Sequence, residues 1–323
     1  MSDTARALYD RTAARASSAV LAGYSTSFGV GARLLGRQAR HDIEAVYALV
    51  RIADEVVDTR RGPDAGPLLD ELEEQTARAL VAGYSTNLVV HAFAATAART
   101  GIGHAELDPF FASMRADLTV RVHDQESYEL YVYGSAEVVG LMCLAVFLNA
   151  DRAPGEPVRR PDAGLASGAR ALGAAFQKIN FLRDLGADSG ELGRSYFPGV
   201  RPGALDRAQL DRILDEIACD LEVARGALPR LPRRARLAVA ATLGLYDTLL
   251  TRLAATPPDE LLGRRLRLRG THKAAVVLRA VAMQAGRGGR VGGSPSGGGR
   301  PGGGRADDSG SGVERAQDVR VDA

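Results

Sequence analysis

The chain has 323 residues and a net charge of +2, with 41 Lys and Arg against 39 Asp and Glu. It is long enough for one large core or two small ones, and so balanced a charge speaks against a nucleic-acid partner. Cys143 and Cys219 offer neither a disulfide framework nor a zinc spacing, and residues 1–9 hold no apolar signal-peptide core, so a reducing, cytoplasmic setting fits.

Helical periodicity recurs along the chain, while alternating strand patterns are scarce. It predicts helices over residues 4–23, 40–59, 66–83, 88–99, 109–119, 127–150, 162–187, 206–228, 233–255 and 271–285. Gly62-Pro63, Ala153-Pro154-Gly155, Pro198-Gly199, Pro202-Gly203 and Pro257-Pro258 fall between them as breakers. The most apolar run, 138–150, is too short to cross a bilayer and reads as a buried helix. One all-α domain over residues 1–285 is the result. From Gly286 the chain turns to glycine clusters alternating with Arg, Ser and Pro, which cannot bury enough apolar surface to order themselves. Residues 286–323 are therefore predicted to be a disordered tail. Its arginines could touch anionic lipid or RNA, but a solvated tail is the plainer reading.

Two acidic pairs stand out. Asp54 and Asp58 are one helical turn apart in Arg51-Ile52-Ala53-Asp54-Glu55-Val56-Val57-Asp58, and Asp184 and Asp188 repeat the spacing. Carboxylates sharing a turn repel unless a cation or proton lies between them. One such pair alone is usually a solvated surface feature. Here Tyr47 and Arg51 extend the first stripe, and Gln177 with Asn180 or Phe181 extends the second. Mg²⁺ is the natural cation for such oxygen donors. Arg183 and Arg194 add forked donors suited to phosphate, so a ligand with at least two phosphates fits. Between the pairs, Tyr128, Tyr131 and Tyr133 lead into Gly134-Ser135-Ala136-Glu137-Val138-Val139-Gly140. That segment suits close helix packing, or room for a long apolar ligand with aromatic faces that tolerate a carbocation. An ordinary core helix rimmed by tyrosines reads equally well. His41, His91, His104, His123 and His272 are scattered, and neither a Ser–His or Cys–His pairing nor a dinucleotide fingerprint is evident. Metal-assisted departure of a diphosphate into a water-excluding cavity is the chemistry these residues add up to.

From about residue 24 to 285 the chain resembles the phytoene/squalene synthase family of head-to-head prenyl transferases. The resemblance lies in Tyr24-Ser25-Thr26-Ser27-Phe28 and in Ala45-Val46-Tyr47-Ala48-Leu49-Val50-Arg51 with the first acidic motif. It continues through Met114-Arg115-Ala116-Asp117-Leu118 and the 131–142 segment. Gly173-Ala174-Ala175-Phe176-Gln177, Asn180-Phe181-Leu182-Arg183-Asp184 and Gly193-Arg194-Ser195-Tyr196-Phe197-Pro198 complete it. The wording is most similar to actinobacterial phytoene synthases.

The resemblance implies an all-α isoprenoid (class I terpenoid) synthase fold around a central cavity. It implies Mg²⁺ or Mn²⁺ held by Asp54, Asp58, Asp184 and Asp188, with Asn180 in the second metal site. Arg51, Arg183 and Arg194 would hold diphosphates, with Tyr47, Ser25 and Ser27 nearby and Phe28 packed at the pocket. Tyr131, Tyr246 and Gln177 would line the cavity and influence cation rearrangement. Lys273 would lie in a basic stretch over the phosphates. The implied reaction joins two geranylgeranyl diphosphates through a cyclopropylcarbinyl diphosphate to phytoene, in carotenoid biosynthesis, without NADPH. The alternatives are a C30 synthase making squalene or dehydrosqualene from farnesyl diphosphate, and a non-catalytic assembly or lipid-binding relative. Greasy substrate and product imply peripheral contact with the inner membrane face and downstream carotenoid enzymes as partners. The Arg264-Arg265-Leu266-Arg267-Leu268-Arg269 stretch serves equally as lipid contact, phosphate lid or solvated helix end. Two departures stand out: Glu137 replaces a common glycine, so its charge must face a polar site or solvent, and Glu55 replaces a common aspartate.

Overall fold

The computed structural model describes residues 3–25, 29, 31–59, 62–191, 195–201 and 203–263, and of residues 186–191 only the helical backbone. The helix predicted over 271–285, the glycine-rich tail, Ser27, Phe28, Arg194 and Lys273 lie outside the described residues, as does the side chain of Asp188. Eleven α-helices are described: α1 (Asp3–Tyr24), α2 (Arg37–Asp58), α3 (Ala65–Ala82), α4 (Leu88–Thr100), α5 (His104–Thr119), α6 (Gln125–Val132), α7 (Val138–Asn149), α8 (Ala163–Glu191), α9 (Arg207–Ala227), α10 (Arg233–Ala255) and α11 (Pro258–Gly263). Among the described residues the one strand-like pairing is a parallel bridge between Val122 and Ser195.

Local chemistry sets most helix ends. Asn87 accepts from the Val89 and Val90 amides to start α4, and Asp206 accepts from Gln209 to start α9. Gly83 and Gly101 end α3 and α4 at φ +63° and +77°, a backbone conformation that glycine adopts without strain. One predicted start is corrected. The sequence places it at Pro109, but α5 begins at His104, because Glu106 Oε2 accepts from the Gly103 amide at 3.0 Å and caps the helix more than a turn earlier. Pro109 sits inside the helix.

The helix predicted over 127–150 runs from Gln125 to Asn149, but not as one regular coil. Tyr133–Glu137 is a π-helical turn, in which the Val138 amide reaches back five residues to Tyr133 O. Ser113 Oγ on α5 donates to Tyr131 O at 3.3 Å, so α5 supports the turn's entry. Gly134 makes the approach possible, since a Cβ there would lie 2.1 Å from Ser113 Oγ and 2.2 Å from Pro109 O.

Apolar burial forms two clusters. One gathers α2–α5 and α7 around Leu49, Phe93, Phe110 and Met142; the other gathers α6 and α8–α10 around Ile179, Leu182, Ile217 and Leu253. On α2, Ile43, Val46, Leu49, Ala53 and Val57 fall every three or four residues and fill the core side. Lys178 fastens α8 to α9: its buried ammonium donates to Asp220 at 2.8 Å and to Glu216. The stretches Gln125–Asn149 and Arg233–Ala255 are long and apolar enough, by length and composition, to cross a membrane. In this fold both are built into the bundle and wall a central cavity.

Candidate active site

A cavity of about 570 Å³ lies between the two clusters. Its lining on α8 runs from Leu165 to Arg183, 18 residue steps or about 27 Å at the α-helical rise. The character changes along that length. Leu165, Gly168, Ala169 and Leu172 form an apolar end, joined by Phe147 of α7 and Ala227 of α9. Gln177, Asn180 and Arg183 form a polar end, joined by Tyr47 and Arg51 of α2 and Tyr246 of α10. A second cavity of about 180 Å³ shares Tyr47, Val50, Arg51, Ser135 and Gln177 with the first and adds Asp54, Phe110, Met114 and Tyr131. The π-turn therefore places Ser135 on the shared wall, where its hydroxyl is buried and has no hydrogen-bond partner among the described residues.

The two stripes behave as matching halves. On α2, Arg51 Nη1 donates to Asp54 at 2.5 Å, Nη2 to Glu55, and the guanidinium lies 4.4 Å from the Tyr24 ring centroid. Burial works against that charge, but Asp54 and Glu55 outweigh it and raise the Arg51 pKa. Burial likewise pushes the Tyr47 phenol up, against the pull of Arg51 and a hydrogen bond from Ser25. On α8, Arg183 forks onto Asp184 at 3.0 and 2.6 Å. Asn180 donates to Tyr246, which is partly buried and raised in pKa by desolvation, with Arg183 and Asn180 pulling it down. Tyr246 also feels Tyr47 and Asp184, so α10 sits between the two stripes electrostatically.

The sequence left Asn180 or Phe181 open for the second stripe. Asn180 is the one that faces the cavity. Phe181 turns into an aromatic cluster, stacked on Tyr196 at 4.0 Å and 6.0 Å from Tyr131. Ser25, Tyr47, Arg51, Gln177, Asn180, Arg183 and Tyr246 line the large cavity, whereas Tyr131 and Asp54 line the small one. Asp58 and Asp184 are half-buried and belong to neither lining. Glu137 faces away from the cavity: Arg170 Nε donates to it at 2.6 Å, and its carboxylate leaves the pocket apolar there. Sequence reading gave no role to Tyr24, to Phe176, which stacks on Tyr246 at 3.7 Å, or to Asp117 beneath Tyr131. The i, i+3 and i+4 stripes carry no signal for contacts made between helices.

The donor set suits Mg²⁺ or Mn²⁺. Asp54, Asp58, Asp184 and Asn180 offer hard oxygens, and the buried Asn180 Oδ1 has no hydrogen-bond partner among the described residues. Among the described residues no three His, Cys, Asp or Glu side chains cluster as a ready-made metal cage. Sites of one or two carboxylates completed by phosphate oxygens and water are the usual Mg²⁺ pattern.

Residues 21–272 match the family model for squalene/phytoene synthases. The chain is 29% identical over 279 residues to a phytoene synthase of Mycobacterium bovis, covering 79% of this chain and 86% of that protein. It is 31% identical over 254 residues to a 15-cis-phytoene synthase of Synechococcus elongatus, covering 72% and 80%. In structure it is similar to a dehydrosqualene synthase, with a TM-score of 0.70 at 19% identity over 86% of this chain and 98% of that one. A squalene synthase from Alicyclobacillus acidocaldarius gives 0.67 at 22% identity, over 77% and 97%. The all-α isoprenoid synthase fold follows from these likenesses.

Proposed function

For a chain that belongs to the squalene/phytoene synthase family, we propose a head-to-head prenyl transferase that condenses two geranylgeranyl diphosphates to phytoene. The observation that carries this reading is the cavity's polarity: two Arg–carboxylate stripes at one end and an apolar wall along α8 from Leu165 to Phe176, 11 residue steps or about 17 Å. The phytoene synthase relatives support the longer prenyl chain and this product.

Arg51 and Arg183 bind diphosphate oxygens with their forked donors. Asp54, Asp58, Asp184, Asp188 and Asn180 would hold Mg²⁺ or Mn²⁺, which supplies charge neutralisation for the leaving diphosphate. The walls of Phe147, Leu172 and Leu245 exclude water from the allylic cation. Tyr47, Tyr131 and Tyr246 present aromatic faces and phenol oxygens to positive charge. The second ionisation rearranges the cyclopropylcarbinyl diphosphate, and proton loss rather than NADPH reduction ends the reaction. An amphiphilic prenyl diphosphate and an apolar product favour peripheral contact with the inner membrane face, with downstream carotenoid enzymes to receive phytoene.

Purified protein with Mg²⁺, incubated separately with geranylgeranyl and farnesyl diphosphate, with and without NADPH, tests this reading by mass spectrometry. Phytoene from the C20 substrate is the expected product. Squalene or dehydrosqualene from the C15 substrate alone reassigns the chain to a C30 synthase, and no hydrocarbon from either makes it a non-catalytic relative.

A further inference from the structure

Asp117 on α5 is buried, at 5% exposed, and accepts the Tyr131 hydroxyl on both carboxylate oxygens, at 2.9 and 2.8 Å. Burying a carboxylate is costly unless its partners are well placed. A carboxylate only accepts, so this pairing turns the phenol hydrogen toward α5. The phenol oxygen keeps its lone pairs for its other side. Tyr131 lines the smaller cavity with Arg51, Asp54 and Gln177, and its hydroxyl feels the Asp54 charge.

The ring has little freedom to turn away. His123 lies 5.0 Å from it, Tyr196 5.4 Å and Phe181 6.0 Å. The segments bearing His123 and Tyr196 are tied together by the Ser195 amide on Arg121 O at 2.8 Å and the His123 amide on Ser195 O at 3.3 Å. Burial and the Asp117 charge both disfavour the phenolate, so Tyr131 stays a neutral phenol of fixed orientation.

We propose that Asp117 is a positioning residue that holds the Tyr131 hydroxyl hydrogen away from the cavity, so that the phenol oxygen faces the positive charge developing on the prenyl substrate. The inference rests on the prenyl transferase reading above. A dipole oriented before the reaction stabilises developing charge without reorganising during it.

The test compares Asp117→Asn, Tyr131→Phe and the double variant in single-turnover and steady-state assays with geranylgeranyl diphosphate. Asparagine is similar in shape, but its amide can donate to the phenol oxygen and occupy the lone pair. Both single variants should lower kcat by about tenfold or more, with KM within about twofold and the melting temperature little changed. The double variant should be no slower than Tyr131→Phe by more than about twofold, because Asp117 acts through Tyr131. An Asp117→Asn enzyme with undiminished kcat, or a double variant whose losses multiply, overturns the proposal. Should Asp117→Asn not fold, Asp117→Ser carries the same comparison. A wild-type chain that makes no product overturns the functional reading itself, and this inference with it.

Discussion

Gly173 on α8 faces the π-turn so closely that a Cβ there would lie 2.3 Å from Ala136 O, and its counterpart Gly140 on α7 would meet Ala169 O at 2.2 Å. α8 thus meets the π-turn and α7 backbone to backbone in two places along the cavity wall. Gly173→Ala must push α8 from the π-turn or distort it. It is expected to cost about 1–3 kcal/mol, read as a lower midpoint in chemical denaturation. A helix-propensity gain cannot compensate, being worth at most about 1 kcal/mol.

The Arg–carboxylate stripes carry the reaction in the proposed reading. Asp54→Asn and Asp184→Asn should each lower kcat by about a hundredfold or more, while the melting temperature of the metal-free protein changes little. Chelation of divalent metal should abolish turnover in the wild type, and Mg²⁺ should restore it. Retention of turnover by Asp184→Asn in steady-state assays would remove the α8 stripe from the mechanism.

Lys178 sets how α8 lies on α9. Its side chain is 6% exposed, and Asp220, whose carboxyl burial pushes up and Lys178 pulls down, depends on it. Lys178→Ala leaves Asp220 facing α8 without its cation and should cost about 2 kcal/mol or more. The pH dependence has a definite sign. Burial opposes the Lys178 charge, but Asp220 and Glu216 outweigh it and raise its pKa above the ordinary 10.5. Its contribution is therefore complete below 10.5 and is lost as pH rises through the higher folded value. Urea titrations at increasing alkaline pH should show wild type losing this stability while Lys178→Met does not.

The two thiols should separate cleanly. Cys143 lines the large cavity, and burial pushes its thiol up to about 12, whereas Cys219 is exposed on α9. The thiolate is the reactive form. Iodoacetamide at neutral pH should label Cys219 within minutes and leave Cys143 unmodified until the protein is denatured, as read by peptide mass spectrometry. Rapid labelling of Cys143 in the folded protein would show that solvent reaches the cavity wall freely.

Helix content and the two stripes were legible in the residues because both depend on short-range spacing. Arg233–Ala255 coincides with its predicted range, and Tyr47, Arg51 and Asp54 share a face by the helical period alone. The same logic misplaced the start of α5: proline at a first turn and proline within a helix look alike until the Glu106 cap is seen. The irregular Tyr133–Glu137 turn left no periodic mark, and its close approach to Pro109 O and Ser113 Oγ at Gly134 is a contact between elements.

The chain by itself determined a helical protein with paired carboxylates, arginines and an apolar interior, because those features repeat within one turn of one helix. Only the tertiary structure decided which of Asn180 and Phe181 meets the cavity, where the Glu137 charge goes, and that Asp117 accepts the Tyr131 hydroxyl. Each of those depends on a residue of a different element, and the rotation of one helix against its neighbours is set by packing that no local spacing encodes.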